Sequence, residues 1–326
     1  MSEFLANKTI LVTGGTGTFG RAFISRLLSS SGAKKIIVFS RDEFKQHHMQ
    51  RELNDARLRF FLGDVRDLPR LQRAFHEVDI VVHAAALKQV PAVEYNPLEA
   101  IKTNIMGTQN VVDAALDNSV ERVLFISSDK AVQPVNLYGA TKLCAEKIIV
   151  GANVYRGERG PRFSVMRYGN VWGSRGSLIE LIERQRQTGV VTLTDERMTR
   201  FWIKIETVMK NIEESLETMH GGEIFIPKMF SSYIADVIAM LAPDCRVQKI
   251  GIRPGEKLHE VLITEHEALR THDIGNLFVI SPEFVSWGGA DRLSHMKKIP
   301  NDFYYVSNSS DFLKSAEDMH HFFKTI

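Results

Sequence analysis

Residues 10–20 read ILVTGGTGTFG, an apolar run that ends at Thr13 and passes into glycines 14, 17 and 20, with RAFISRLLSS after it. A β-rich run, a glycine cluster and a helix-compatible segment in that order predict strand, turn and helix. Gly14 would make the tight turn. Gly17 would let backbone N–H groups approach a pyrophosphate at the helix N-terminus, and Gly20 would let helix and strand pack closely. A glycine motif alone is weak, but a second strand, KKIIVFS (34–40), follows at the spacing of a first βαβ unit.

Working outward, short apolar runs at 8–13, 34–40, 57–63, 79–84, 121–127, 162–168 and 222–227 alternate with helical stretches. That alternation predicts an α/β fold built on a doubly wound parallel sheet. Ligands of such a sheet sit at the carboxyl ends of its strands, where GDVRD (63–67), HAAALK (83–88) and SSDK (127–130) fall. After Asn170 the pattern becomes irregular and richer in arginine and glycine, then helical again around 205–219. The expected division is a nucleotide-binding domain over 1–170, to which 203–227 return, and a smaller C-terminal substrate lobe over 171–202 and 228–326.

Composition narrows the function. The 326 residues are 44% hydrophobic, enough for a sizeable core, and the net charge of +2 comes from mixed signs without a basic stripe. A nucleic-acid partner is not expected. The start, MSEFLANKTILVTGG, enters the first strand without a basic and apolar leader, and no run of about 18 apolar residues occurs, so a cytoplasmic protein with no membrane partner is expected. Cys144 and Cys245 lack the close Cys/His spacing of a zinc site, and no metal is expected. Cys144 reads as a buried small hydrophobe, and His47 and His48 as helix-surface residues.

The residue type after the second strand separates the two nicotinamide dinucleotides. An acidic side chain there binds the ribose diol of NAD, whereas this chain has Ser40 and Arg41, with Lys45 one turn on. Cationic and hydroxyl donors suit a 2′-phosphate, so NADP is favoured, although Asp42 or Glu43 could reach a ribose hydroxyl if the turn shifted by one residue. Chemistry is concentrated in SSDKAVQPVNLYGATK (127–142). Tyr138 and Lys142, four apart, share one face of a helix, and the ammonium is expected to favour the phenolate. A tyrosine tuned in this way can exchange a proton with a sugar hydroxyl.

With TGGTGTFG, SRDEFKQ, GDVRD, HAAALKQVPAVEYNPLEAIKTNI, SSDKAVQPVNLYGATK, RYGNVWGSRGS, TDERMTRFWI, GGEIFIPK and GIRPGEKLHEVLI, nearly the whole chain resembles the extended short-chain dehydrogenase/reductases, specifically the polysaccharide-biosynthesis nucleotide-sugar dehydratases. Ser-Asp-Lys-Ala at 128–131 discriminates most, because related dTDP-glucose dehydratases carry Asp-Glu there and simple epimerases lack the pair. Ser128 stands where threonine is usual, Trp172 follows RYGNV, and 229–240 match loosely.

The resemblance implies 4,6-dehydration of UDP-N-acetylglucosamine with inversion at carbon 5, at the start of pseudaminic acid or related surface-glycan synthesis. Tyr138 would take the 4-hydroxyl proton during oxidation at carbon 4. Lys130 would remove the carbon 5 proton, Asp129 would protonate the departing 6-hydroxyl, Ser128 would hydrogen-bond the 4-oxygen and Lys142 would hold the nicotinamide ribose. For that, Asp129 must be protonated and Lys130 neutral, and direct pairing of the two would oppose it. The resemblance further implies NADP contacts at Gly14, Thr16, Gly17, Thr18, Phe19, Gly20, Ser40, Arg41, Lys45, Asp64, Val65, Ala84, Ala85, Ala86, Lys88, Asn104, Tyr138 and Lys142. Substrate contacts fall at Lys88, Asn170, Arg175, Thr199, Arg200, Arg253 and Glu256, the arginines suiting a diphosphate, and a homo-oligomer is implied. The alternatives are a retaining dehydratase, a dehydratase that also epimerises, and a non-catalytic NADP-binding regulator.

Overall fold

The computed structural model describes residues 3–157, 160–174, 176–283, 295–315, 317–319 and 322. The chain lays down β1 (Thr9–Thr13), α1 (Thr18–Ser30), β2 (Lys35–Ser40), α2 (Glu43–Leu53), β3 (Leu58–Leu62), β4 (Ile80–His83), β5 (Arg122–Ser128) and β6 (Arg162–Tyr168). With Ile224–Pro227, these supply a strand for each of the seven apolar runs. In space they run Ile224–Pro227, β6, β5, β4, β1, β2, β3, every neighbouring pair parallel. Leu11 in β1 is paired with Ile37 on one side and Val81 on the other. All five residues of β1 are buried, as expected of a strand covered on both faces. Helix α1 covers one face with Phe23, Ile24 and Leu27, all fully buried, each worth about 1.5–3 kcal/mol in apolar burial.

Beyond Ile224–Pro227 the sheet continues antiparallel through Leu277–Ile280, Thr271–Asp273 and the two-residue strand Lys297–Lys298. The boundary expected at 228 therefore does not coincide with the edge of the sheet. Leu262, Ile263, Leu277, Ile280 and Tyr305 pack into the main core. A hairpin added to a sheet edge lacks the strand–helix alternation that marks a βαβ unit, which is why the pattern does not reveal it. A second, smaller core collects Ile179, Ile182, Val191, Leu193, Trp202, Val237 and Ile238. It lies beside a three-stranded sheet of Asn170–Val171, Thr199–Ile203 and Phe230–Tyr233, from which Trp202 comes.

Cys144 is exposed rather than buried, because the helix Leu137–Gly151 turns Thr141, Lys142 and Ala145 inward and leaves position 144 outside. His47 and His48 lie exposed on α2. No helix among the described residues is long and apolar enough to cross a membrane.

Candidate active site

The strand order reverses between β1 and β4, and the glycine turn lies at that crevice. Gly14 has φ +67°, and a Cβ there would come within 2.9 Å of the Ala85 amide nitrogen. A side chain is excluded both by the left-handed backbone and by the neighbouring loop. A Cβ on Gly20 would sit 2.5 Å from Gly15 Cα, so the third glycine seats α1 against the turn. Thr13 Oγ1 fixes the opposite wall, accepting from Ala84 N and Ala85 N at 3.2 Å each. It also bonds His83 Nδ1 at 2.7 Å, and His83 Nε2 meets Thr108 Oγ1 at 3.1 Å. Burial drives His83 down to about 3, so the ring stays neutral and acts as a structural tie.

A cleft of about 1090 Å³ opens here. Gly14, Thr16, Gly17, Thr18, Phe19, Gly20, Ser40, Arg41, Lys45, Val65, Ala84, Ala85, Ala86 and Lys88 line it, together with Ser128, Asp129, Lys130, Tyr138, Lys142 and Asn170. Among the described residues, eight buried side-chain polar atoms have no hydrogen-bond partner, and five of them, on Thr103, Ser127, Asp129, Asn170 and Ser177, belong to residues that line this cleft. Such atoms are costly unless something polar satisfies them, so the wall is suited to a polar ligand. The glycine turn at the start of α1 and this polar lining fit a dinucleotide.

Two expected cofactor residues stand just behind the cleft wall rather than in its lining. Asn104 is buried and buckles the loop after β4, accepting from Leu87 N at 2.8 Å and donating to Leu87 O at 2.9 Å. Asp64 is held by Arg66 at 2.7 Å, with Arg41 at 3.5 Å. At the far corner Asp42 caps α2, accepting from Lys45 N at 2.9 Å, and its carboxylate pairs with Lys45 Nζ at 2.8 Å. Ser40 is buried, its hydroxyl accepting from Gln46 Nε2 at 3.0 Å. Arg41 is half exposed at the rim.

The chemistry gathers where β5 meets the helix Leu137–Gly151. Asn136 starts that helix by accepting from Gly139 N at 2.8 Å, while its amide donates to Gly255 O at 2.7 Å. Tyr138 is 8% exposed and hydrogen-bonds Ser128, whose hydroxyl also accepts from Lys130 N at 3.2 Å. Burial raises the phenol above its ordinary range, and the cation that opposes this is Lys130. This corrects the expectation drawn from the Tyr–Lys spacing. Lys142 donates to the Ile126 carbonyl at 2.7 Å and lies 4.3 Å from the centre of the Phe125 ring, and burial lowers it to about 7.

Lys130 Nζ is 3.0 Å from Asp129 Oδ1 and 3.8 Å from Glu260 Oε1. Burial alone would lower Lys130, but the two carboxylates outweigh it and hold the ammonium above its ordinary range. Asp129 is fully buried and is raised by that burial, with its Oδ2 unpartnered. The pairing that opposes a neutral Lys130 is therefore present. Glu260, which the sequence reading passed over, is 3% exposed, and Arg200 at 3.8 Å and Lys257 at 3.5 Å also face it. Its signal was its place at the end of the IRPGEKLHE motif. Gly139 was missed as well, although a Cβ there would overlap the Lys130 carbonyl oxygen.

The expected substrate residues are only partly brought together. Lys88 and Asn170 line the cleft. Thr199 is buried against His259 and Ser307, and Arg200 donates to the carbonyls of Thr199 at 2.7 Å and Leu258 at 3.1 Å. Arg253 and Glu256 form a loop pair at 3.9 Å. Arg175 lies outside the described residues. The strand Val261–Ile263 and the helix Glu265–Ala268 that follow this loop are anchored by Arg167 of β6, which donates to Leu262 O at 2.9 Å and is buried between Glu146 at 2.6 Å and Glu267 at 3.0 Å.

A doubly wound sheet, a glycine turn and a Tyr-x-x-x-Lys pair in one cleft define the class of extended short-chain dehydrogenase/reductases. The family model described as polysaccharide biosynthesis protein matches residues 10–282. A Campylobacter jejuni subsp. jejuni serotype O:2 protein named UDP-N-acetylglucosamine 4,6-dehydratase (inverting) is 45% identical over 320 residues, 96% of each chain. A Rickettsia conorii protein named UDP-glucose 4-epimerase is 41% identical, over 84% of this chain and 83% of that one. The X-ray structure of Pen from Bacillus thuringiensis superposes with a TM-score of 0.92 at 36% identity, covering 99% of this chain and 98% of that one. The chain belongs to the polysaccharide biosynthesis family, and it is an enzyme.

Proposed function

We propose that this enzyme is an NADP-dependent UDP-N-acetylglucosamine 4,6-dehydratase that inverts carbon 5, forming UDP-2-acetamido-2,6-dideoxy-β-L-arabino-hexos-4-ulose for pseudaminic acid or a related surface glycan. The observation that carries the reading is the Asp129–Lys130 pair, 3.0 Å apart and beside Tyr138 in one cleft. Loss of water across carbons 5 and 6 needs one group to take a proton and another to give one. A 4-epimerase, the activity named for the Rickettsia relative, has no use for such a pair. A nicotinamide dinucleotide bound in the cleft would supply the oxidant, taking hydride from carbon 4 and giving it back at carbon 6.

Tyr138 receives the 4-hydroxyl proton, and Ser128 holds the 4-oxygen beside it. Lys142 would hold the nicotinamide ribose. The ketone at carbon 4 acidifies the carbon 5 proton, on which Asp129 and Lys130 then act. The smaller lobe, with Asn170 at its start and the 250–256 loop, binds the UDP moiety. Wild-type enzyme converting UDP-N-acetylglucosamine in heavy water is expected to give a 6-deoxy-4-keto sugar with deuterium at carbon 5 and no net NADPH. A 4-epimer with an intact 6-hydroxyl would replace this reading with the epimerase.

The choice of NADP rests on Ser40, Arg41 and Lys45 at the rim, with Asp42 committed as the cap of α2. Arg41→Ala is expected to weaken NADP binding by about 1.5–3 kcal/mol, the loss of one charged hydrogen-bond partner, and to leave NAD binding nearly unchanged. Titration with both dinucleotides checks this, and an equal loss for the two removes the 2′-phosphate from Arg41.

A further inference from the structure

We infer that Asn136 is a positioning residue that hangs the loop 251–256 on the start of the helix Leu137–Gly151, so that a nucleoside diphosphate bound at the loop steadies the helix that carries Tyr138; this rests on the UDP site of the proposed function. The loop is held at few points. On one side of it the strand Arg246–Lys249 pairs with Val190–Leu193, and on the other Lys257 Nζ donates to the Val132 carbonyl. Between these fixed ends residues 251–254 are exposed, and the loop bonds to itself, Glu256 N donating to Arg253 O at 3.1 Å and Arg253 N to Glu256 Oε2 at 3.4 Å. Among the described residues, one hydrogen bond runs from 251–256 to the rest of the chain. It is the 2.7 Å bond from Asn136 Nδ2 to Gly255 O.

The same side chain starts the helix. Asn136 Oδ1 accepts from Gly139 N at 2.8 Å and the Asn136 carbonyl accepts from Ala140 N at 3.0 Å, which sets the first turn, where Tyr138 stands. One amide group thus uses its oxygen for the helix and its N–H for the loop. The approach is close: Gly255 has φ +80°, and a Cβ there would lie 3.1 Å from Asn136 Cβ. Aspartate and serine cap helices as well as asparagine does, so the cap by itself does not call for an amide. The N–H that reaches Gly255 does. A diphosphate drawn to Arg253 fixes the loop and through it Asn136, and by reciprocity a firm helix start favours the loop conformation that binds.

Substitution separates the cap from the tie. Asn136→Asp keeps an oxygen for Gly139 N but turns a carboxylate toward Gly255 O, and Asn136→Ser caps the helix without reaching the loop. Both are expected to melt close to the wild type and to bind NADP as it does. The Kd for UDP alone is expected to rise about tenfold, and KM for UDP-N-acetylglucosamine to rise with it by more than kcat falls. Folded variants that bind UDP as the wild type does reduce Asn136 to a cap and overturn the proposal, and so does a loss confined to kcat. Combined with Arg253→Ala, Asn136→Asp is expected to cost less than it does alone, because both act on UDP through one loop. Full additivity overturns this, as does an Arg253→Ala variant that binds UDP like the wild type. Hydrogen exchange reads the coupling without turnover. UDP is expected to slow exchange over 137–142 by about threefold or more in the wild type and to leave it unchanged in Asn136→Asp. Equal exchange with and without UDP in the wild type overturns the coupling. Wild-type enzyme that shows the whole binding pattern yet forms no 6-deoxy-4-keto sugar removes the dehydratase reading and leaves the role of Asn136 standing.

Discussion

Tyr138→Phe is expected to bind NADP as the wild type does and to lose turnover by about a hundredfold or more, because the group that receives the 4-hydroxyl proton is gone while the ring still fills its place. The phenol is buried and touches Ser128, and removal of its oxygen leaves the Ser128 hydroxyl still accepting from Lys130 N. The fold around it is expected to hold. The loss therefore belongs in kcat, and a single-turnover experiment is expected to show slow reduction of the cofactor with later steps unchanged. Phenylalanine turning over near the wild-type rate would move proton acceptance at the 4-oxygen to another residue.

Gly139→Ala is expected to be nearly as damaging to activity, although the residue carries no functional group. The added methyl would overlap the Lys130 carbonyl oxygen and come within 3.0 Å of Pro134 Cβ. Either the helix Leu137–Gly151 or the turn Asp129–Ala131 has to move, and each carries part of the site. Overpacking of this kind costs about 1–3 kcal/mol of stability. A shift of about 1 Å in a site that relies on fixed geometry is expected to lower kcat by about a hundredfold. Denaturant unfolding and turnover measured together check this. A stable variant with full activity would mean that the turn yields freely and does not fix Lys130.

Much of this architecture is legible in the sequence, for identifiable reasons. Strands covered on both faces read as continuous apolar runs, so β1, β2 and β4–β6 stand out, and glycines forced by close approach mark the turn. Asp129, Lys130, Tyr138 and Lys142 fall within fourteen positions of one another on a strand end and the helix after it, so local spacing exposes them. The rest depends on distant pairings. Glu260 meets Lys130 only because the chain returns across 130 positions, and the IRPGEKLHE motif that ends on it marks the segment without showing what the carboxylate faces. The same holds for Asn136, whose cap is local but whose second bond reaches Gly255. Orientation is equally hidden. Helical spacing places Tyr138 and Lys142 on one face, but the Ile126 carbonyl and the Phe125 ring draw the ammonium to themselves.

Among the described residues the central sheet has two outer strands, β3 on one side and on the other a strand just two residues long whose members, Lys297 and Lys298, are both exposed lysines. A long flat edge would offer its free N–H and C=O groups to any extended peptide. Here a second molecule seeking to add a strand would gain very few backbone bonds and would have to bring its own chain against two ammonium groups. That rim therefore guards its own edge against edge-to-edge aggregation, which matters for a sheet, ten-stranded among the described residues, whose central strands β1, β2 and β4 are almost wholly apolar.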